Sequence, residues 1–395
     1  MVSNNGDQQL PEDVMIDILS RLPVKSLMRF RSVCKKWYAL IRNPSFITKH
    51  CDHNNSGRGV VVYHYNYVME KYDFAQLDEN LTVPHVYQDY DYPEHNITLL
   101  GSFHGIICIF HWFPHLALWN PATREIRLLP TDHHNFPPHF FNFSHNIGFG
   151  LDPLTNDYKV IWMRLFWDEK IDTIHHPTFA SVYTLSTDSW RHLEVVLPSN
   201  RRVFGRRAVR NSMGNTYLNG VYYWATYADD GTYTYPDQNY MILSFDMSNE
   251  IFGEMPGPPD ICESLHEYAE LTMYNGFIAM LIWCPNAVEK YFYIWVMKEE
   301  GLWTKELTIG PLQGVRSPLG FWKIDELFLE NSTSQLVLYN LGTQEFVNLG
   351  FRGKEDNLEV LFYKESLVSI MGRNECHEGD IVKFPDLLSL GHEKV

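Results

Sequence analysis

An eight-residue pattern recurs five times along this chain and limits its fold more than any other feature. Each copy contains an apolar residue, a polar turn and a closing apolar or aromatic residue, which together make a strand end, a tight turn and a strand start. Successive copies begin 64, 62, 51 and 43 residues apart. The pattern predicts one β-hairpin in each of five units, at residues 119–126, 183–190, 245–252, 296–303 and 339–346.

A second strand signal lies upstream of most copies, as at residues 105–109, 219–224 and 275–281. Aromatic residues make up 15% of the chain, which also favours strands. Four strands per unit at this spacing predict a mainly β fold, a kelch-like β-propeller of about six blades. We expect residues 59–65 and 358–370 to close the ring from its two ends. The alternative is an irregular β-sandwich whose hairpins share their turn chemistry.

Residues 10–50 have a helical pattern, which predicts two short amphipathic helices. Pro11 suits the start of the first helix, whose apolar face includes Val14, Ile18 and Leu22. Pro23 separates the two helices and Pro44 ends the second, whose apolar face is Leu27, Phe30, Val33, Cys34, Trp37 and Ile41. We therefore predict a disordered N-terminus at 1–9, a helical domain at 10–50, a propeller-like domain at 51–372 and a tail at 373–395.

The helical region has more apolar residues than a unit of this size can bury, which predicts a partner. Residues 1–50 contain eight Lys and Arg against four Asp and Glu, a net charge of +4. The remaining 24 basic and 44 acidic residues give residues 51–395 a net charge of −20. The helical region therefore favours an acidic partner and the body a basic one. The alternative is that the apolar helix faces pack on the rest of the chain.

The helical region closely resembles an F-box, on the residues at 10–11, 22–27 and 31–37. The resemblance implies that the helices dock onto the Skp-type adaptor of a Skp–cullin–F-box ubiquitin ligase and, through it, onto the cullin and the RING subunit. It also implies which residues contact the adaptor, namely Leu10, Pro11, Ile18, Leu22, Pro23, Leu27, Val33 and Trp37.

The larger region resembles the F-box-associated domain of plant F-box proteins, on residues 120–125, 148–152, 158–160 and 242–246 among others. Residues 307–312 and 318–322 are closer still to the S-locus F-box and S-locus F-box-like proteins of the rose family. This resemblance implies a role in gametophytic self-incompatibility, with a pistil S-RNase as the target and pollen and the pollen tube as the place of action.

No catalytic set is visible in the chain. It lacks a GxSxG elbow, an HExxH pair, a P-loop and a GxGxxG turn that opens a helix. The clustered histidines at 133–145 do not have ligand spacing, so we predict no metal and no cofactor. The acidic body argues against nucleic acid and anionic membranes as partners. No secretory signal or apolar span is visible, which predicts a cytoplasmic protein, with the nucleus as a further location.

One basic segment stands out on the acidic body. No acidic residue lies between Val195 and Ala228, and the segment contains Arg201, Arg202, Arg206, Arg207 and Arg210. Clustered guanidinium groups bind carboxylates in pairs of hydrogen bonds, so these arginines are candidate target contacts. The alternative is a solvated loop.

The sequence thus predicts a non-catalytic substrate receptor, in which the helices bind the adaptor and the propeller binds an S-RNase. Two other functions stay open. One is a general F-box receptor with an unrelated cytosolic target. The other is a propeller enzyme or glycan-binding protein whose helices are only structural.

Overall fold

The structure is a computed structural model that describes residues 11–53, 58–68, 70–82, 85–88, 97–111, 115–133, 139–170, 173–194, 202–204, 216–229, 240–259, 268–354 and 358–371. Helices come first in the chain, as α1 (Glu12–Ser20), α2 (Val24–Phe30), α3 (Lys35–Ile41) and α4 (Pro44–His53). The predicted disordered N-terminus at 1–9 and tail at 373–395 lie outside the described residues.

The rest of the described chain consists mainly of strands, which form six sheets, and these sheets are the blades. Blade 1 begins with β1 (Arg58–Asn66), β2 (Lys71–Leu77) and β3 (His85–Gln88). Blade 2 contains β4 (Ile97–Phe103), β5 (Ile106–His111), β6 (His115–Asn120) and β7 (Glu125–Leu128). Blade 3 contains β8 (Phe140–Asp152), β9 (Asp157–Asp168), β10 (Thr173–Thr184) and β11 (Ser189–Leu193).

Blade 4 contains β12 (Arg202–Phe204), β13 (Tyr217–Leu218), β14 (Val221–Asp229), β15 (Tyr240–Asp246) and β16 (Ile251–Pro256). Blade 5 contains β17 (Tyr268–Tyr274), β18 (Phe277–Trp283), β19 (Glu289–Glu299) and β20 (Leu302–Gln313). Blade 6 contains β21 (Val315–Lys323), β22 (Glu326–Asn331), β23 (Gln335–Asn340) and β24 (Glu345–Arg352). The last strand, β25 (Glu359–Lys364), returns to blade 1.

The ring is closed by strands from both ends of the chain. β25 pairs antiparallel with β1, so that Val60 lies opposite Phe362 and Val62 lies opposite Val360. β25 is also the inner strand of blade 1, next to β4 of blade 2 and β21 of blade 6. The predicted six-bladed propeller and its closure are therefore confirmed.

The recurring eight-residue pattern forms the outer hairpin of blades 2 to 6. In blade 2, for example, Asn120 pairs with Glu125 across the turn. The upstream strand signal, at residues 105–109, 219–224 and 275–281, corresponds to a tight turn and the beginning of the strand that follows it, namely β5, β14 and β18. Asn219, Gly220, Asn275 and Gly276 all have positive φ there, as a two-residue type I′ turn requires. Asparagine and glycine adopt positive φ more readily than other residues, so these turns can be predicted from the sequence alone.

The helical prediction is wrong in its number of helices. The predicted second helix breaks between α2 and α3, where Cys34 has extended backbone at φ −159° and its Sγ accepts a hydrogen bond from the Trp37 N–H at 3.5 Å. Pro44 begins α4 instead of ending the helical region. Proline at a first helical position loses no hydrogen bond, so the same residue is compatible with an end or a start.

His145 on β8 gives blade 3 a pH-dependent stability. Its Nδ1 lies 3.2 Å from Trp162 Nε1, which donates a hydrogen bond to it. Burial, together with the charge of Arg164, lowers the pKa of His145 from 6.5 to about 4. Between pH 4 and 6.5, His145 therefore binds a proton in the unfolded chain but not in the folded chain. This stability is fully present above pH 6.5 and is lost as the pH falls towards 4, by about 3 kcal/mol.

We expect His145→Asn to flatten this part of the pH profile. The asparagine Oδ1 can accept the Trp162 hydrogen bond but does not titrate. Denaturant unfolding of both proteins at a series of pH values between 7 and 4 measures the difference. Parallel wild-type and variant profiles across that window would show that His145 titrates normally in the folded state.

Candidate docking surface on the helical unit

The four helices, which we call the helical unit (Glu12–His53), have a small core of their own. Leu19, Val24, Leu27, Ile41 and Phe46 are buried in it. The adaptor contact predicted for Leu27 stays a prediction, and the structure places this side chain completely inside the helical core. In the chain as it stands, Leu27 is part of the core that stabilises the helical unit.

Other apolar residues of the helical unit are exposed. Val14 and Ile18, one turn apart on α1, are 44% and 49% exposed, and Val33 between α2 and α3 is 62% exposed. Pro11 and Pro23, at the starts of α1 and α2, are exposed as well. Exposed apolar side chains concentrated on so small a unit favour a protein partner.

The side chains of Leu22 and Trp37 are intermediate between buried and exposed. Both are partly buried against the core of the helical unit, and the Trp37 ring lies 5.1 Å from the Phe30 ring. They can contact a partner only through part of their surface. Leu10, the remaining predicted contact, lies outside the described residues.

The helical unit also has exposed charged side chains. Asp17 pairs with Arg21 at 3.1 Å and with Lys49 at 3.4 Å, and Lys36 lies 3.4 Å from Glu12. The hydrogen bond from Arg21 lowers the pKa of Asp17. Lys25, Arg29 and Lys35 are exposed in addition, so the surface keeps the basic character that its composition predicts.

The helical unit lies at one end of the ring, which we call the proximal face. α4 leads into β1 there, and the Lys364 ammonium at the end of β25 donates a hydrogen bond to the Cys51 carbonyl oxygen at 2.5 Å. The proximal face also contains short turns such as β4–β5, β6–β7 and β8–β9. The opposite end of the ring, which we call the distal face, includes the β18–β19, β20–β21 and β22–β23 turns among the described residues.

Of the predicted arginine cluster, the structure describes only Arg202. β12 begins at Arg202 and pairs with the Tyr227–Asp229 end of β14, away from the proximal face. The next described residue is Thr216, whose carbonyl oxygen accepts a hydrogen bond from the Tyr223 N–H. Arg201, Arg206, Arg207 and Arg210 lie outside the described residues, so their role as target contacts stays a prediction.

Sequence reasoning missed an ion cluster between blades 3 and 4. The Lys159 Nζ lies 2.8 Å from Asp152 Oδ2 and 3.0 Å from Glu250 Oε1. Asp152 also accepts a hydrogen bond from Ser248 Oγ at 2.6 Å. The sequence did contain one signal for this cluster, because Asp152 and Lys159 occur in two of the segments that resemble the F-box-associated domain. The cluster connects neighbouring blades and is structural.

The electrostatics of this cluster favour the charged carboxylate. Burial alone would raise the pKa of Asp152, but hydrogen bonds from Lys159, Ser248 and Thr155 outweigh that effect and lower the pKa well below its usual range. Hydrogen bonds from Arg191 and Lys159 likewise outweigh burial and lower the pKa of Glu250. Removal of the lysine would leave the buried Asp152 carboxylate without its cationic partner, while Glu250 would keep its pair with Arg191.

Two kinds of feature are absent from the described residues. No group of three or more His, Cys, Asp and Glu side chains in these parts of the chain is arranged to hold a metal ion. No helix among the same residues has the length and apolar character needed to span a membrane.

The architecture defines a class of protein, a six-bladed propeller with a small helical unit on its proximal face. Residues 8–49 match the F-box domain, and residues 60–370 match the F-box associated beta propeller domain. The chain therefore belongs to the family of F-box proteins with an F-box-associated β-propeller domain.

Curated plant proteins share this organisation. An F-box/kelch-repeat protein of Arabidopsis thaliana is 30% identical over 365 residues, which cover 85% of this chain and 89% of that protein. The F-box protein CPR1 of Arabidopsis thaliana is 25% identical over 381 residues, with 91% and 88% covered. A second F-box/kelch-repeat protein of the same plant is 28% identical over 297 residues, with 73% and 70% covered.

Proposed function

We propose that this protein is the substrate-recognition subunit of a Skp–cullin–F-box ubiquitin ligase. The observation that carries the proposal is the set of exposed apolar residues, Val14, Ile18 and Val33, on a unit that matches the F-box domain. These residues are among the apolar ones that the helical core leaves exposed. The basic side chains of the helical unit favour an acidic adaptor.

In this function the chain performs no chemistry. The helical unit holds the adaptor, and with it the cullin and the RING subunit, while the propeller holds a target. Bringing target lysines close to the charged ubiquitin-conjugating enzyme raises their effective concentration, which accelerates transfer without a catalytic residue in the receptor. Reconstitution with the adaptor, cullin and RING subunit tests the proposal. Failure of the full chain to bind any Skp-type adaptor would overturn it.

We further propose that the target is a basic protein, and specifically a pistil S-RNase met in the cytoplasm of the pollen tube. The net charge of −20 on residues 51–395 supports a basic target. The resemblance of residues 307–312 and 318–322 to S-locus F-box proteins supports an S-RNase as the particular basic target. The distal face is the surface we propose for the target, because the helical unit occupies the proximal face.

Salt should weaken this binding. Charge attraction between an acidic propeller and a basic S-RNase is screened as ionic strength rises, so we expect the affinity to fall by about tenfold between roughly 50 and 300 mM salt. Titration of an S-RNase onto the full chain at several salt concentrations measures the effect. A secreted basic ribonuclease of similar charge is the control, and it should bind at least tenfold more weakly at every salt concentration.

Two results would count against the S-RNase as target. Binding that does not respond to salt would contradict the electrostatic argument. Equal binding of the control ribonuclease would show charge attraction without recognition. If no S-RNase binds while the adaptor does, the chain is a general F-box receptor, and comparison of proteins captured from pollen and from leaf would identify its target.

A further inference from the structure

The segment Glu365–Met371, which we call the strap, follows the last strand of the propeller and belongs to two hydrophobic cores. Leu367 is 0% exposed and packs among the helical unit's own core residues, including Leu19, Leu27 and Phe46. Three residues later, Ile370 is equally buried, but it packs between blades 2 and 3. The helical unit is therefore completed by a side chain more than 300 residues away in the sequence.

Hydrogen bonds from blade 2 hold the backbone of the strap. The buried Asn120 side chain donates through Nδ2 to the carbonyl oxygens of Ser366 at 3.2 Å and Val368 at 2.8 Å. Arg127 Nη1 donates to the Ile370 carbonyl oxygen at 3.0 Å, and Glu125 Oε2 accepts from the Ile370 N–H at 3.0 Å. This gives the segment at 120–125 a structural role, because it holds the strap in place.

The surrounding backbone leaves little freedom for the strap to shift. Gly105, in the β4–β5 turn, has φ +76°, and a Cβ atom there would lie 2.6 Å from the Lys364 carbonyl oxygen and 2.9 Å from the Ser366 N–H nitrogen. On the other side, Ala122 packs against the helical core together with Leu367. The strap is thus enclosed between the helical unit and the proximal face.

We propose that the strap fixes the helical unit on the propeller in one orientation, with Leu367 as the positioning residue. Domains joined by a small interface move relative to one another, whereas a shared, close-packed core has one stable arrangement. Resting on the proposed ligase function, this means that the distal face is held at a constant position relative to the ubiquitin-conjugating enzyme. Ubiquitin then reaches only lysines within a defined zone.

Hydrogen exchange of the full chain tests the packing. In Leu367→Ala we expect the amides of α1, α2 and α4 to exchange about tenfold faster, while those of β21 to β24 keep the wild-type rate. Leu154→Ala is the matched control, because Leu154 lies in the β8–β9 turn of the same face and is 80% exposed. Leu367→Met keeps the side-chain volume and should restore slow exchange.

Two exchange results would overturn the proposal. If the helices exchange at the wild-type rate in Leu367→Ala, the strap does not hold them. If Leu367→Ala speeds exchange in blades 5 and 6 as much as in the helices, Leu367 supports the whole ring and has no specific role in positioning.

The position of ubiquitin transfer tests the consequence. With the chain as its own target in a reconstituted ligase, the wild-type protein should be modified at a small, reproducible set of propeller lysines. Leu367→Ala should spread modification over more lysines with the adaptor still bound, and Leu367→Met should restore the wild-type set. An unchanged set in Leu367→Ala would overturn the positioning role. Absence of adaptor binding to the wild-type chain would instead overturn the ligase function, and hydrogen exchange would still report on the strap.

Discussion

The double variant Ile18→Asp with Val33→Asp is expected to lose co-purification with a Skp-type adaptor while its propeller stays folded. Both side chains are about half exposed or more and neither belongs to the helical core, so their replacement removes little core packing. A carboxylate at each site would be desolvated against an apolar and acidic partner surface. Loss of two central contacts weakens an interface by about 4 kcal/mol or more, roughly a thousandfold in affinity.

A pull-down with quantified adaptor measures this effect, and circular dichroism confirms the fold. Leu302→Asp with Val347→Asp is the matched control, since both residues are similarly exposed but lie on outer strands of blades 5 and 6. We expect the control to bind the adaptor normally. Equal adaptor recovery with the double variant and the wild type would exclude this surface as the docking site.

The second large effect is expected from Lys159→Met, which should lower the free energy of unfolding of the propeller by about 3–5 kcal/mol. The methionine fills a similar volume but cannot pair with Asp152, whose carboxylate is buried, or with Glu250. An uncompensated buried carboxylate must either remain charged in a poor environment or take up a proton. Denaturant unfolding followed by tryptophan fluorescence measures the loss.

Lys298→Met provides the comparison for this prediction. Lys298 also pairs with a glutamate, Glu306, but its side chain is largely exposed. Exposed pairs contribute about 1 kcal/mol or less, so the Lys298 variant should unfold close to the wild-type midpoint. If both lysine variants lose the same small stability, the cluster between blades 3 and 4 does not stabilise the propeller.

The propeller was predictable from sequence because its signals are local. Asn219–Gly220 and Asn275–Gly276 have the backbone preferences of two-residue hairpin turns whatever lies around them. The alternation of apolar residues then sets which face of each strand is buried. The number of blades followed from the spacing of these signals, together with the strands at both ends.

The docking surface was only partly predictable. Ile18 and Leu27 are both apolar residues at helical spacing, and the F-box resemblance assigns both to the adaptor. Only packing distinguishes them, since Leu27 is enclosed by α1, α4 and the strap while Ile18 is left exposed. For the same reason Leu22 and Trp37, although prominent in the pattern, are poor choices for a binding test because their replacement would also disturb the helical core.

By itself the sequence determined that this chain forms a ring of β-hairpins behind a small helical F-box, because strand alternation, turn residues and proline positions act over a few neighbouring residues. Only the tertiary structure decided which apolar residues remain for a partner and how the helical unit is held. Leu367 shows why. Its packing against Leu19 and Phe46 depends on closure of the whole ring, which brings the end of β25 beside α4. Such a contact has no local signature in the chain.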